Sequence, residues 1–123
     1  MLQSLFRTRT TSQIEQVSAE QLRDMMNDEN SPLLVDVRSP REYEWDGHIA
    51  GSRLLPMSVL MERVTELPKD QDIVFVCRSG SRSNVVCEQL KRMGYDNVKN
   101  FRGGMISWKM AILPARDYCL CLC

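Results

Sequence analysis

The sequence has little histidine and no excess of charge of either sign. It contains one histidine, and its 16 lysines and arginines are balanced by 16 aspartates and glutamates over 123 residues. Proteins that bind nucleic acid or an anionic membrane surface usually carry a basic excess, which is absent here. The sequence also contains no run of 18 or more apolar residues that would predict a membrane span. We therefore expect no nucleic-acid partner and no membrane partner.

The cysteine count does not fit a disulfide scaffold. The chain has five cysteines, an odd number, whereas disulfide-rich domains are shorter, carry even counts and exceed about 8% cysteine. The first residues, MLQSLFRTRTTSQIEQ, lack the apolar core of a signal peptide. These features favour a reduced domain in the cytoplasm, with at least one thiol available for chemistry or packing.

Apolar runs alternate with helical patterns about five times along the chain. We expect short strands at residues 14–17, 33–37, 52–55, 73–76 and 97–101, with helices between them and after the last. Ser18 and Ser39 each begin a capping box, and residues 57–67 have the apolar spacing of one helix. The alternation predicts one α/β domain over residues 13–114, with a mostly parallel sheet between helices. Residues 1–12 then form a flexible lead-in and residues 115–123 a cysteine-rich tail.

The chemically informative segment is Cys77-Arg78-Ser79-Gly80-Ser81-Arg82-Ser83, between the strongest predicted strand and a helix. Ligands of open α/β sheets bind at the carboxyl ends of strands, where Cys77 lies. The loop amides, the N-terminus of the following helix and the two arginines all favour thiolate over thiol. The alternative is that Cys77 is a buried strand residue followed by an ordinary polar loop.

A cysteine hydrolase would need a histidine base, and only His48 is present. We expect His48 to anchor its own loop. A thiolate in a cradle of donors without a base suits anionic substrates with good leaving groups. Both sulfur transfer from a sulfane donor and phosphoryl transfer from a phosphoester meet that description.

The sequence resembles single-domain rhodaneses, the thiosulfate sulfurtransferase-like family. The matching residues are Leu34-Val35-Asp36-Val37-Arg38 with Glu42-Tyr43, Gly47-His48-Ile49-Ala50-Gly51-Ser52, Ile73 to Ser83, Gly94-Tyr95, Val98, and Gly103-Gly104 with Trp108. The resemblance implies a five-stranded, mostly parallel sheet flanked by helices on both faces. It also implies that Cys77 attacks a small anionic sulfur donor such as thiosulfate, becomes a persulfide, and passes the outer sulfur to a thiol or protein acceptor.

The resemblance assigns roles to the residues around Cys77 as well. Arg78, Ser79, Gly80, Ser81, Arg82 and Ser83 form the cradle for the persulfide and the donor, and Asp36 and Arg38 brace the loop region from behind. No cofactor and no metal ion is expected. Related phosphatases of this fold have a loop one residue longer than the four residues between Cys77 and Arg82, which favours sulfur transfer. A regulatory or partner-binding module remains the alternative, and a cysteine-dependent phosphatase is a weaker one.

The sequence predicts different roles for the other four cysteines. Cys87 shares a helical face with Val86 and Leu90, which predicts a packing role. Cys119, Cys121 and Cys123 alternate with leucines near the C-terminus, and the pattern leaves metal binding, thiol exchange and no role all open.

Overall fold

A parallel sheet of five strands forms the centre of the protein. The computed structural model describes residues 13–112. The strands are β1 (Glu15–Val17), β2 (Leu33–Asp36), β3 (Arg53–Leu54), β4 (Ile73–Val76) and β5 (Val98–Phe101). Their order across the sheet is β1-β5-β4-β2-β3, and every neighbouring pair is parallel. The predicted α/β class and mostly parallel sheet are confirmed.

Helices connect the strands and cover both faces of the sheet. They are α1 (Ala19–Met26), α2 (Pro40–Trp45), α3 (Met57–Leu60), α4 (Ser81–Arg92) and α5 (Gly104–Ile112). Ser18 and Ser39 form the predicted capping boxes, each with a side chain three residues later. The two caps mark where α1 and α2 begin.

Two apolar clusters lie on opposite faces of the sheet, because successive strand residues point to opposite sides. Phe75 and Cys77 join the cluster that includes Cys87 and Leu90 of α4. Val74 and Val76 join the other, which includes Trp108 of α5. The side chain of Cys77 therefore faces α4 and not α5.

The single helix predicted over residues 57–67 is wrong. After α3 the chain continues as a 3₁₀ segment, Met61–Glu66, in which Arg63 leaves helical geometry at φ −115° and ψ 19°. The Val64 carbonyl accepts hydrogen bonds from Leu67 N, at i−3 spacing, and from the Tyr95 hydroxyl. The β-branched pair Val64 and Thr65 also weakens a regular helix here.

The candidate site lies at the carboxyl ends of two neighbouring strands of the sheet. β2 pairs with β4 so that Asp36 lies opposite Val76, and Cys77 follows directly. Across residues 13–112, no helix is long and apolar enough to cross a membrane, and no cluster of three potential metal ligands occurs. The lead-in, the domain end at residue 114 and the tail with Cys119, Cys121 and Cys123 fall outside the described residues.

Candidate active site

Cys77 is the first residue of a tight loop that joins β4 to α4. Gly80 precedes α4 with a φ of 99°, a left-handed conformation that glycine adopts without strain. A Cβ on this residue would lie 2.9 Å from the Gly103 backbone nitrogen, so glycine is also needed for space. This turn points backbone N–H groups inward: Gly80 N lies 3.1 Å and Ser83 N 3.4 Å from Cys77 Sγ. The Ser83 hydroxyl lies 3.3 Å from the same sulfur.

Burial and hydrogen bonding act in opposite directions on the Cys77 thiol. Cys77 is fully buried, and burial raises its pKa. Hydrogen bonding by the loop lowers it, through the Ser83 hydroxyl in the orientation that donates to the sulfur and through the backbone of Ser83, Gly80 and Ser79, and the pKa then lies below the ordinary value. The loop amides therefore lie where hydrogen bonds to the sulfur favour its anion.

The N-terminus of α5 supports the loop from the other side. Met105 N donates to the Cys77 carbonyl at 2.9 Å, and Ile106 N donates to the Arg78 carbonyl at 3.1 Å. A Cβ on Gly104 would overlap the carbonyl oxygen of Cys77. Glycine at this position lets the helix approach closely enough to hold the Cys77 backbone in place.

Arg82 is held by a carboxylate of another helix. Its two terminal nitrogens donate to Glu42 Oε1 at 2.9 Å and Oε2 at 2.8 Å, and the Ser39 backbone N–H also binds Glu42. The Arg82 hydrogen bond is the main reason why the pKa of Glu42 falls to about 2. The charge of Arg82 is thus largely neutralised at rest, although its pKa is also affected by the nearby Cys77.

Arg78 is exposed and lies on the side of the loop that faces α5, away from the Arg82–Glu42 pair. It lines a cavity of about 320 Å³ with Arg38, Asp46, Met105, Ile106 and Lys109, on the α5 side of the loop. In the described part of the chain, its side chain has no ion pair. Arg78 is consequently the loop arginine whose charge is available to an incoming anion.

Asp36 and Arg38 form a buried pair beside the loop. Arg38 Nε and Nη2 donate to the Asp36 carboxylate at 2.8 and 2.7 Å, and both side chains are at most 1% exposed. Arg38 Nη2 also donates to the Gly47 carbonyl at 2.8 Å. The pair therefore ties the end of β2 to the Gly47–Gly51 loop and makes no hydrogen bond to the Cys77 loop.

The comparison with family models decides the classification. The model of the rhodanese-like domain matches residues 18–111, most of the chain and all of the site described above. The chain belongs to the rhodanese-like family. The family resemblance drawn from the sequence is confirmed.

Individual relatives extend this result. The chain is 41% identical over 101 residues to a sulfurtransferase of Allochromatium vinosum, a match that covers 82% of this chain and 94% of that protein. A rhodanese-like domain protein from Staphylococcus aureus superposes with a TM-score of 0.72 at 28% identity, covering 77% and 91% of the two chains. A Rhodopseudomonas palustris protein described as a possible tyrosine phosphatase has a TM-score of 0.73 at 27% identity, with coverage of 85% and 86%.

His48 has an anchoring position in this rhodanese-like domain. Its ring stacks on Tyr43 with centroids 3.7 Å apart, and Nδ1 donates to the Tyr43 carbonyl at 2.9 Å. Both contacts tie the His48 loop to α2. The structure thus supports the anchoring role expected from the sequence.

Cys87 is buried in the core of the domain, as expected. Burial is the main reason why its pKa rises to about 12. It therefore stays a neutral thiol at physiological pH.

Sequence reasoning missed two partners of the rhodanese loop. Asn100 on β5 accepts a hydrogen bond from Ser83, and Glu42, matched to the family without an assigned role, binds Arg82. No local pattern links these pairs, because 17 and 40 residues separate their members. The sequence offered one weak signal for Asn100, since asparagine is uncommon within a strand such as the one predicted over residues 97–101.

Proposed function

We propose that the protein is a sulfurtransferase that moves a sulfane sulfur from a small anionic donor such as thiosulfate to a nucleophilic acceptor. The Cys77 thiolate attacks the outer sulfur of thiosulfate, an S–S bond forms at Sγ, and sulfite leaves with the electron pair of the broken bond. The acceptor, a low-molecular-weight or protein thiolate or cyanide, then attacks the outer sulfur of the persulfide. Cys77 leaves this second step as a thiolate, so no oxidant or cofactor is consumed.

The observation that carries this proposal is the set of N–H donors around Cys77 Sγ. Gly80 N and Ser83 N both point at the sulfur from within the loop. These donors stabilise a thiolate before attack and a negatively charged sulfur after it. The Allochromatium relative named as a sulfurtransferase supports the same chemistry, since it aligns over nearly its whole length.

Access to the sulfur depends on the outer part of the loop. Cys77 is fully buried, whereas Arg78, Ser79 and Ser81 are exposed. In the proposed reaction these exposed residues move aside to admit the donor, while the core around β4 stays packed. Arg78 attracts the anion, and Gly80 and Ser83 bind the transferred sulfur.

The resting contacts of Arg82 weigh against a phosphatase. A cation on the phosphate oxygens assists phosphoryl transfer, and both terminal nitrogens of Arg82 already donate to Glu42, whose charge offsets that of the guanidinium. The short loop also leaves little room for a phosphate. The possible phosphatase from Rhodopseudomonas shares the fold, so this alternative belongs in the test.

The free state of the two described cysteines bears on the compartment in which the protein works. Cys77 and Cys87 are both free, and a persulfide cycle needs Cys77 to remain reduced. We propose that the protein works in the cytoplasm, where thiols are kept reduced.

The test combines a steady-state assay with mass spectrometry. The purified protein is incubated with thiosulfate and cyanide, thiocyanate is followed, and intact mass is measured after the donor alone. We expect turnover and a gain of one sulfur in the wild type and in Cys87→Ala, but neither in Cys77→Ala. Turnover that persists in Cys77→Ala refutes the role of Cys77.

Two other outcomes separate the alternatives. Hydrolysis of an aryl phosphate without sulfur transfer supports the phosphatase. A stable protein partner that still binds Cys77→Ala, with neither reaction observed in the wild type, supports a binding module.

A further inference from the structure

The Ser83 hydroxyl lies between two acceptors but has only one hydrogen to donate. Its oxygen is 2.6 Å from Asn100 Oδ1 and 3.3 Å from Cys77 Sγ. Both distances suit a hydrogen bond, yet only one of the two atoms can receive the hydroxyl hydrogen at a time. Which atom receives it decides whether Ser83 stabilises a sulfur anion.

The Gly80 carbonyl determines the direction of this hydrogen bond. Asn100 Nδ2 lies 3.2 Å from the Gly80 carbonyl oxygen, which can only accept. The amide nitrogen must therefore face Gly80, and Oδ1 must face Ser83. Because Oδ1 cannot donate, the Ser83 hydroxyl donates to Asn100. Gln16 Oε1 accepts a second hydrogen bond from Nδ2 at 2.8 Å and holds the same orientation.

This direction leaves Ser83 with its lone pairs towards the sulfur. A neutral Cys77 can donate its S–H to Ser83 Oγ, whereas a thiolate meets an oxygen lone pair there. The thiolate gains a hydrogen bond from Ser83 only if the hydroxyl turns away from Asn100. That rotation removes a donor from Asn100 Oδ1, and Asn100 is buried, so the rotation has a cost.

We propose that Asn100 is a positioning residue that holds the hydrogen of the Ser83 hydroxyl away from Cys77 Sγ and thereby restrains thiolate formation at Cys77. Asn100 acts through Ser83 and does not touch the sulfur. The inference deepens the proposed function, because it identifies what sets the reactivity of the same thiol. It can nevertheless be tested on the thiol alone, without any sulfur donor.

Other titratable groups near Cys77 stay the same when Asn100 is changed. Arg82 in the first turn of α4 interacts with the sulfur and is paired with Glu42 of α2. Cys87 lies further along α4 as a neutral thiol, and Asp36 at the end of β2 is paired with Arg38. From α5 the Cys77 backbone receives the Met105 N–H. A change in Cys77 ionisation upon Asn100 substitution therefore reports on the contacts of Asn100 itself, which go to Ser83 and to the Gly80 carbonyl.

The experiment is a double-mutant cycle on the full chain. Wild type, Asn100→Leu, Ser83→Ala and the double variant are alkylated with iodoacetamide from pH 5 to 10, and the rate at Cys77 is read by peptide mass spectrometry. We expect Asn100→Leu to lower the Cys77 pKa by about one unit, because the freed hydroxyl can bind the thiolate. In the Ser83→Ala background, we expect the same substitution to shift it by less than about 0.3 units.

The sign of the change in the Cys77 pKa distinguishes a positioning role of Asn100 from a general support of the loop. A loosened loop presents its N–H groups less well and raises the Cys77 pKa, which is the opposite of our expectation. An unchanged or higher pKa in Asn100→Leu overturns the proposal, as does an equal shift with and without Ser83.

A second variant and a control complete the design. Asn100→Ala removes the same acceptor and carries the test if circular dichroism shows that Asn100→Leu does not fold. Asn97→Ala changes an asparagine before β5 whose side chain donates to the Pro68 and Gln71 carbonyls, and it should leave the Cys77 pKa unchanged. Because iodoacetamide reports the thiol itself, a normal alkylation result with no thiocyanate formation refutes the proposed function alone.

Discussion

The buried pair of Asp36 and Arg38 allows a quantitative prediction for the substitution Asp36→Asn. The Asp36 carboxylate accepts hydrogen bonds from Arg38 Nε, Nη2 and backbone N at 2.8, 2.7 and 3.1 Å. Asparagine keeps one acceptor oxygen but loses the charge and places an NH₂ group against a guanidinium donor. Arg38 is then a buried cation whose side chain keeps only neutral acceptors, the amide oxygen at position 36 and the Gly47 carbonyl.

The expected loss follows from the burial of both partners. Removing one member of a buried ion pair costs roughly 3–5 kcal/mol, because the other charge stays uncompensated. Since asparagine retains part of the hydrogen bonding, we expect a loss of about 3 kcal/mol in the free energy of unfolding. That is a large share of the roughly 5–15 kcal/mol typical of a domain, and it corresponds to a fall of about 10–15 °C in Tm.

Urea unfolding followed by circular dichroism measures this loss, with Glu66→Gln as the matched control. Glu66 also binds arginine, at 2.9 Å, but that pair is exposed. We expect the control to lose much less, because solvent screens an exposed ion pair. A loss in Asp36→Asn no larger than that of the control refutes the reasoning.

The double substitution Asp36→Leu with Arg38→Met gives a further check on the same pair. It removes both charges, so no uncompensated cation remains. We therefore expect the double variant to be more stable than Asp36→Asn. A double variant that is less stable would mean that the hydrogen bonds, and not the buried charge, dominate.

Three further predictions concern the loop and its surroundings. Gly104→Ala should destabilise the protein by at least about 2 kcal/mol more than Gly94→Ala in urea unfolding, because both glycines have positive φ but only a Cβ at Gly104 overlaps the Cys77 carbonyl; equal losses would contradict the overlap. Glu42 has a pKa lowered to about 2, so its contribution to stability is present above about pH 4.5 and disappears as the pH falls towards 2. Unfolding curves of wild type and Glu42→Gln should therefore differ at pH 6 and converge near pH 2, and a constant difference would show that Arg82 is not the cause. Cys87 should resist iodoacetamide at pH 8 in the native protein and react in urea, since burial raises its pKa to about 12; native labelling would show that the core opens.

Local signals explain why much of the fold could be predicted from the sequence. Each of these signals spans only a few consecutive residues, as in the capping boxes at Ser18 and Ser39 and the apolar run Ile73–Val76. The structure forms all three as expected. The segment 57–67 shows the limit of such signals. Its leucine spacing fits a helix, but the Tyr95 hydroxyl, from a distant part of the chain, binds the Val64 carbonyl within the 3₁₀ segment.

The Cys77 loop shows the same division between local and tertiary information. The order of strand, cysteine, glycine and helix was enough to predict N–H groups directed at the sulfur. It did not reveal that Glu42 holds Arg82, because that contact joins α2 to α4 across 40 residues. The two arginines therefore differ: Arg82 interacts with the sulfur but is paired with Glu42, whereas Arg78 has no ion pair within the described residues.

The surrounding elements, and not the loop alone, decide how reactive the sulfur can be. The loop supplies its own backbone N–H groups to Cys77, but α2 decides whether Arg82 is free and β5 decides where the Ser83 hydrogen points. Two rhodanese-like domains with an identical loop can therefore differ in thiolate formation if these outer residues differ. It follows that substitutions at Glu42 and Asn100 can change the reactivity of Cys77 while leaving every residue of the loop in place.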